Sequence, residues 1–185
     1  KDILTNVIEV YYVKRADLSY TVNYYEKDTT TSVADSKVAH NKVFGDLIKE
    51  NAIDVPGYDK VNPISKSITI GVGENIINFY YTKREDLSYT VNYLEKDTEK
   101  VIAKAKVVNG QTFGTMVEER AIDIAGYVKP EVDSQTIEMK VEGNVINFYY
   151  TKRNDLSYVV NHYEDGTTKK IADSETIEGV TFEMV

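Results

Sequence analysis

The sequence predicts an α+β fold in which a module of 69 residues, with the element order ββαββ, occurs in tandem. Three observations predict this fold: a repeat of constant period, segments in which apolar and polar residues alternate, and one segment with apolar residues at helical spacing. A short sheet with one helix across its apolar face is a two-layer unit. No Gly or Pro lies between Ile77 and Tyr93, where two modules join, so we expect a semi-rigid, elongated array.

The repeat is clearest in the segment 17–24, which reads DLSYTVNY and recurs as DLSYTVNY at 86–93 and as DLSYVVNH at 155–162. The same interval links two sets of aromatic residues: Tyr12, Tyr81 and Tyr150, and Phe44, Phe113 and Phe182. Three landmarks with one period predict four segments. They are the last strand of a preceding repeat at 1–15, complete repeats at 16–84 and 85–153, and the first half of a further repeat at 154–185.

The opening of each repeat predicts a β-hairpin. Leu18, Tyr20, Val22 and Tyr24 alternate with polar residues, which is the period-2 pattern of a half-buried strand. A polar turn follows, and in the last repeat it contains Asp-Gly at 165–166. Both residue types tolerate a positive φ, so this pair indicates a tight hairpin turn.

A short helix is predicted after the hairpin. Phe44, Leu47 and Ile48 are spaced i, i+3, i+4, as are Phe113, Met116 and Val117 in the next repeat. This spacing places the three side chains on one side of a helix. The Pro-Gly pair at 56–57 cannot continue a helix and ends it.

Two strands complete the predicted unit. The first lies at about 67–70, and the second contains Ile77, Phe79 and Tyr81 on one face. The equivalent residues of the next repeat show the same alternation, so Tyr24 and Tyr81 are expected in the core.

Composition excludes several function classes. The formal net charge of −8 and the scattered Lys and Arg disfavour binding to nucleic acid or to anionic lipid. No run of 18 apolar residues occurs, so no membrane insertion is expected from this segment. The chain has no Cys, and its two His residues, His40 and His162, occupy non-equivalent positions. We therefore expect no enzyme activity, no cofactor and no metal site.

Three motifs carry a resemblance to a known family. The segments 20–25 (YTVNYY), 53–58 (IDVPGY) and 78–81 (NFYY), with their counterparts one repeat later, resemble the MucBP (mucin-binding protein) repeat of Gram-positive surface adhesins. The resemblance implies a ubiquitin-like β-grasp fold and a secreted protein of the bacterial cell surface, anchored to the cell wall outside this segment. The β-grasp repeats of internalin-type proteins are the second choice, because they carry a Trp that this chain lacks.

The resemblance also implies a function in cell adhesion, with host mucin or other glycoprotein glycans as partners. The alternative is a structural stalk or spacer that has no ligand of its own. Tyr25, Tyr80 and Tyr149 have the parity opposite to the core residues. Because exposed aromatic rings can stack on ligands, these three tyrosines are the candidate ligand-binding residues.

Two further kinds of site were weighed and disfavoured. Glu26 and Asp28 could offer oxygen ligands to calcium, but their spacing fits a solvated turn better than a calcium loop. Lys83 and Asn92, which recur as Lys152 and Asn161, could form an isopeptide crosslink, but solvated strand ends explain these residues better.

The incomplete last repeat leaves its end open to three interpretations. Residues 154–185 form a partly ordered end, pair through an exposed strand edge with another chain, or belong to a longer chain that completes the sheet. We expect a monomer.

Overall fold

The computed structural model describes residues 6–183, and within them the chain forms fourteen β-strands and no helix. The first repeat contains β1 (Leu18–Glu26), β2 (Ser32–Lys42), β3 (Leu47–Asn51), β4 (Tyr58–Lys60), β5 (Ser65–Thr69) and β6 (Ile76–Lys83). The second contains β7 (Leu87–Glu95), β8 (Val101–Gln111), β9 (Met116–Arg120), β10 (Tyr127–Val128), β11 (Ser134–Glu138) and β12 (Val145–Lys152). The last two strands are β13 (Leu156–Tyr163) and β14 (Lys170–Val180).

The predicted α+β class, with its ββαββ order and β-grasp fold, is therefore wrong. The segment predicted as a helix is a turn followed by strand β3. Gly45 in that turn has a φ of +87°, which a right-handed helix does not allow. Leu47, which the helical pattern places on the buried side, is 72% exposed.

A charged residue on the inner face of β3 explains why its period-2 pattern was missed. Ile48, Glu50 and Ala52 point inward, so a carboxylate interrupts the apolar alternation. Tyr20 Oη donates a hydrogen bond of 2.5 Å to the Glu50 carboxylate, and Lys37 Nζ lies 2.6 Å from the same oxygen. A buried charge is tolerated where it is paired and hydrogen-bonded. Glu119 has the same two partners in the second repeat, Tyr89 and Lys106.

Each complete repeat consists of a four-stranded sheet and a two-stranded hairpin. The first sheet has the order β2-β1-β6-β4, and β3 pairs with β5. The second sheet has the equivalent order β8-β7-β12-β10, and β9 pairs with β11. In each sheet the opening strand lies next to the closing strand in parallel, whereas the other pairs are antiparallel.

The core lies between the sheet and the hairpin that covers it. Ile48 and Ile68 of the hairpin pack against the buried face of the first sheet. The buried residues of that face are Leu18, Tyr20, Val22, Tyr24, Ile77, Phe79 and Tyr81. The predicted alternation of the opening and closing strands is confirmed, because every one of these side chains is at most 6% exposed.

The predicted opening hairpin is also confirmed, and the left-handed position of its turn recurs in each repeat. Asp28 has a φ of 60°, Asp97 a φ of 69° and Gly166 a φ of 70°. Asp and Gly are residues that adopt this conformation at low cost. The Asp-Gly signal at 165–166 therefore marked a feature that all three hairpins share.

The chain divides by its contacts into two compact units, one that ends at Arg84 and one that begins at Glu85. The hairpin β13–β14 belongs to the second unit. Residues 1–5 and 184–185 of the predicted terminal segments lie outside the described residues, and residues 6–17 form no strand. The division into repeats at 16, 85 and 154 stays a prediction.

Candidate functional site

Two of the three candidate tyrosines lie at the surface of their sheets. Tyr80 on β6 is 37% exposed and Tyr149 on β12 is 40% exposed. Their neighbours Phe79 and Phe148, one residue earlier, are almost fully buried. This alternation follows from the pleat, which points successive side chains to opposite faces.

The structure brings Tyr25 and Tyr80 together. They are direct partners in the parallel pairing of β1 with β6, and both point away from the core. Tyr25 is half-buried. In the second repeat Leu94 is the partner of Tyr149, so of the two complete repeats the first has this tyrosine pair and the second does not.

A groove lies beside Tyr80, between β5 and the first half of β6. Its volume is about 400 Å³, within the range of roughly 300–1,000 Å³ that small-molecule sites occupy. It is lined by Pro63, Lys66, Ser67, Ile68, Ile76, Ile77, Asn78 and Tyr80. The wall is therefore partly apolar, with one ammonium group, one amide and one phenol at its surface.

Lys66 links the two sides of this groove. Its Nζ donates a hydrogen bond of 2.6 Å to the backbone carbonyl of Asn78. The same ammonium lies 5.4 Å from the centre of the Tyr80 ring and 5.7 Å from that of Phe79, within reach of a cation–π attraction. An ammonium has three donors, so the contact with Asn78 leaves two for a ligand.

The second repeat has a groove beside Tyr149 with a volume of about 550 Å³. It shares with the first groove the repeat positions of Pro63, Lys66, Asn78 and Tyr80, but it extends along β10 and the loop that follows it. Gln135 occupies the position of Lys66, and its Nε2 donates a hydrogen bond of 2.8 Å to the carbonyl of Asn147. The remaining lining residues are Lys96, Val128, Lys129, Pro130, Glu131, Val132 and Thr151. One long side chain thus bonds the same carbonyl in both repeats, once with a charge and once without.

Side-chain amides lie on the outer face next to the tyrosines. Asn23 Nδ2 donates to Asn78 Oδ1 over 2.9 Å, and Asn92 Nδ2 donates to Asn147 Oδ1 over 2.8 Å. Each pair bridges the central parallel strands. Amides both donate and accept hydrogen bonds, so both kinds of group lie on the outer face beside the tyrosines.

Sequence reasoning missed Lys66 and Gln135. A signal was present, because both occupy one position of the repeat and both carry a long side chain with nitrogen donors. Its meaning depends on β5 lying beside β6, a contact between strands that the sequence pattern does not specify.

A group of contacts holds Phe182 and Glu183, which follow β14, against residues of the second repeat. The Phe182 ring packs edge-on against Tyr127, with ring centres 5.5 Å apart, and the Phe182 amide donates to the Arg153 carbonyl over 2.8 Å. Lys152 Nζ lies 3.2 Å from the Glu183 carboxylate. These contacts fix the residues that follow β14 against the body of the second repeat.

Tyr127 is itself held by an acidic partner. Its hydroxyl donates to Glu95 Oε2 over 2.9 Å. Burial, together with this hydrogen bond to a carboxylate, raises the pKa of Tyr127 to about 12. The hydrogen bond from Tyr127 in turn lowers the pKa of Glu95.

The disfavoured sites have other contacts in the structure. Lys152 pairs with Glu183 and Glu95, and Asn161 Oδ1 accepts a hydrogen bond from Ser174, so the structure does not bring Lys152 and Asn161 together. Within residues 6–183, no group of three or more His, Asp or Glu side chains could hold a metal ion. The same part of the chain contains no helix able to span a membrane.

Comparison with known proteins yields solved structures only. No family model matches the chain, and no curated protein matches it. The chain is similar to a type 2 repeat of the mucus binding protein MUB from Lactobacillus reuteri, at 11% identity, and to the crystal structure of Mub-RV, at 10% identity. Each alignment covers 74% of this chain, and 100% and 99% of the respective neighbour, with a TM-score of 0.28.

The first of these neighbours is a repeat of a mucus binding protein, which is the class of protein that the sequence motifs resemble.

Proposed function

We propose that this chain is a non-catalytic segment of a bacterial surface adhesin and that its repeats contact mucin glycans through the grooves beside Tyr80 and Tyr149. One observation carries the proposal: the outward-facing tyrosine at one position of the repeat borders an open groove in both complete repeats. The resemblance of the sequence motifs to MucBP repeats supports it. The expected location is the cell surface, with the anchor outside this segment.

The chemistry of the grooves suits a carbohydrate. A tyrosine ring offers a flat apolar surface with a polar edge, and sugars present C–H groups on one face and hydroxyls around the rim. Asn78 and Asn147 supply amide groups on the same face as the tyrosines. The grooves are open to solvent, so a sugar unit of an extended glycan chain can enter them.

The two grooves are expected to differ in charge preference. Lys66 brings a positive charge to the first groove, and Gln135 brings none to the corresponding place in the second. A glycan that ends in a carboxylate or a sulfate should therefore favour the first groove. In the second, Lys129 Nζ forms an ion pair with Asp123 over 3.0 Å, and Glu131 carries the charge opposite to that of Lys96.

The proposal is tested by retention on immobilised mucin. We expect the double variant Tyr80→Ser and Tyr149→Ser to lose most of its retention, because both stacking surfaces are removed, while its melting temperature changes little. Tyr11→Ser is the matched control. Tyr11 occupies the same position of the repeat and is 84% exposed, but it belongs to no strand, so its replacement should leave retention intact.

Unchanged retention of the double variant would show that the grooves beside Tyr80 and Tyr149 do not contact the mucin. A glycan array probed with the unaltered chain is the broader test: reproducible binding to defined glycans supports the adhesin function, and silence across mucin-type glycans rejects it.

A structural stalk is the second candidate, and the junction at Phe182 favours it. The ring contact of Phe182 with Tyr127, the hydrogen bond from the Phe182 amide to the Arg153 carbonyl and the ion pair between Lys152 and Glu183 hold the chain after β14 in one orientation. Three contacts of different kinds resist bending better than a single one. A chain that gives no glycan signal but shows strong hydrogen-exchange protection at the Phe182 amide would support the stalk over the glycan-binding repeat.

A further inference from the structure

A β-bulge interrupts the pairing of β8 with β7 in the second repeat. The register shifts between Leu87 and Tyr89, so that two residues of β8, at 109 and 110, lie opposite Ser88 alone. A bulge of this kind leaves its extra residue outside the regular ladder of backbone hydrogen bonds. The backbone at 109–110 is therefore held less tightly than the rest of β8.

The bulge consists of Asn109 and Gly110, the one Asn-Gly pair of the sequence. Both residues are exposed, and Gly110 has a φ of +70°. Apart from the adjacent residues, a Cβ atom at Gly110 would have no neighbour within 4 Å. No other part of residues 6–183 therefore crowds the peptide bond between Asn109 and Gly110.

An exposed Asn-Gly pair can react with itself. After the Gly nitrogen has lost its proton to a base, it attacks the carbonyl carbon of the Asn side chain, and a succinimide ring forms as ammonia leaves. Glycine favours this attack because it has no Cβ to obstruct the nitrogen. Water then opens the ring at either of its carbonyls and leaves aspartate or isoaspartate.

Gln111 supports the first step through the peptide bond that reacts. Its Nε2 donates a hydrogen bond of 3.1 Å to the backbone carbonyl of Asn109. Peptide resonance joins this carbonyl to the Gly110 nitrogen, so part of the negative charge left by deprotonation moves to the carbonyl oxygen. A hydrogen bond is stronger when its acceptor is charged. The Gln111 amide therefore stabilises the deprotonated nitrogen that attacks.

The equivalent bulges show which side chains these two positions accept. Asn41 occupies the position of Gly110 in the first repeat and has a φ of 56°. Glu178 occupies the position of Asn109 in β14, where its side chain is exposed. A carboxylate at the first position of the bulge is thus compatible with the hairpin, and we expect the hairpin to stay folded when Asn109 is converted.

We propose that Asn109 is a site of spontaneous deamidation, at which Gly110 closes a succinimide and water opens it to isoaspartate or aspartate. A bond forms between the Gly110 nitrogen and Asn109 Cγ, the bond from Cγ to Nδ2 breaks, and the departing nitrogen takes up a proton and leaves as ammonia. One water is then added, and nothing is oxidised or reduced.

The conversion changes both the charge and the backbone of β8. It adds one negative charge to a formal net charge of −8. Opening of the ring at the backbone carbonyl leaves Gly110 joined to Cγ, which inserts a methylene into the chain where β8 already departs from regular pairing. The site does not depend on the proposed glycan binding.

Peptide mapping of the folded chain after incubation at mildly alkaline pH tests the proposal. Trypsin releases the peptide 107–120, in which Asn109 is the one Asn. Its mass should rise by about 1 Da, because an amide becomes a carboxyl, and the rate should follow the hydroxide concentration. An isolated peptide of the same sequence gives the reaction without the fold. If Asn109 stays intact in the folded chain while the isolated peptide converts, the proposal is overturned.

The products and a neighbouring Asn separate this route from others. Isoaspartate and aspartate forms of the peptide differ in chromatographic retention, and both should appear. Aspartate alone would indicate direct hydrolysis of the side-chain amide and contradict the succinimide. Asn41, which precedes Lys42 in the equivalent bulge, is the internal control in the peptide 38–42. It should convert at least about tenfold more slowly, because the residue after it has a Cβ.

Two variants remove the reaction by different means. Gly110→Asn introduces the residue that the first repeat has at this position, so it should keep the bulge and slow conversion by about tenfold or more because it adds a Cβ. Asn109→Gln leaves the glycine in place and should stop the mass change, because the longer side chain must close a six-membered ring. Conversion of the peptide 107–120 at the original rate in either folded variant would contradict the proposal.

Gln111→Met tests the positioning residue. Met has a similar length and no N–H to donate, so the hairpin should persist while conversion of Asn109 slows by about threefold or more. The isolated peptides with Gln and with Met at this position are the control, and their rates should differ less than those of the folded chains. Equal rates in the two folded chains would contradict the role assigned to Gln111.

Discussion

The Phe182 ring lies against Tyr127 with ring centres 5.5 Å apart and ring planes inclined by 68°. The residue before Tyr127 permits this approach. A Cβ atom at Gly126 would lie 2.5 Å from atoms of the Phe182 ring, a separation at which one of the two must move. Gly126 also has a φ of +82°, a conformation that favours glycine.

Replacing Gly126 by Ala is therefore expected to displace Phe182. The left-handed backbone alone costs roughly 1–2 kcal/mol for a residue with a Cβ, and the loss of the ring contact adds to it. Gly143→Ala is the matched control, because Gly143 has a similar φ of +76° and open space around the position of its Cβ. Hydrogen exchange at the Phe182 amide should accelerate in Gly126→Ala and stay slow in Gly143→Ala. Equal rates in the two variants would contradict the steric explanation.

Truncation of two adjacent residues of β12 should reduce the free energy of unfolding by very different amounts. Phe148 is 0% exposed and Tyr149 is 40% exposed. We expect Phe148→Ala to lower the free energy of unfolding by about 3 to 5 kcal/mol, because it removes core contacts and leaves a cavity. Tyr149→Ala should cost much less. Urea unfolding of the two variants measures the difference, and similar losses would show that the assignment of faces is wrong.

Acid should destabilise the folded chain by protonating the inward-facing carboxylates of β3 and β9. Burial alone would raise the pKa of Glu119, but hydrogen bonds from Lys106 and Tyr89 outweigh it and lower the pKa. Lys37 and Tyr20 lower the pKa of Glu50 in the same way, again against burial.

A lowered native pKa means that the unfolded chain takes up the proton first. The stabilisation is therefore complete above the ordinary glutamate pKa of 4.5 and declines as the pH falls through the lowered native value. We expect Glu119→Gln with Glu50→Gln to flatten the dependence of unfolding free energy on pH below that point. An unchanged slope in the double variant would assign the acid sensitivity to other carboxylates.

High pH should reduce the stability of the folded chain through the deprotonation of two tyrosines. Burial and the hydrogen bond to Glu119 raise the pKa of Tyr89 from 10.0 to about 12, and the pKa of Tyr127 is also about 12. Because the unfolded chain loses these protons first, their stabilisation is complete below pH 10.0 and declines between pH 10.0 and about 12.

A spectrophotometric titration of phenolate in the folded chain measures this directly. Tyr89→Phe and Tyr127→Phe should each remove one late-titrating group. Tyr158→Phe, at an exposed position, is the control and should leave both late-titrating groups in place. Loss of an early group from the Tyr89 or Tyr127 variant would contradict the environment described for that residue.

The strands were predicted correctly and the helix was not, because the strands depend on neighbouring residues and the middle segment depends on contacts with distant ones. Alternation in β1 and β6 is a local property, so Tyr24 and Tyr81 could be assigned to the core from the sequence. The inward position of Glu50 depends on Tyr20 and Lys37, which are distant in sequence. When those partners are not known, the inward-facing carboxylate interrupts the alternating pattern of a strand. The i, i+3, i+4 spacing that begins at Phe44 was then the stronger signal, and it favoured a helix.

The candidate site was predictable in part. The parity of a strand fixes which side chains leave the core, and this placed Tyr80 and Tyr149 at the surface. The grooves beside them, and the roles of Lys66 and Gln135, depend on β5 and β11 lying next to the closing strands. Contact between strands from different parts of the chain follows from tertiary packing and leaves no periodic trace.

By itself the sequence determined the repeat, the faces of its opening and closing strands and the hairpin turns, because these depend on spacing and on residues only a few positions apart. Only the tertiary structure decided that the middle segment is a strand and that the opening and closing strands are parallel neighbours. Both depend on which distant groups meet, and an inward-facing charge is tolerated because of its partners rather than its position in the chain.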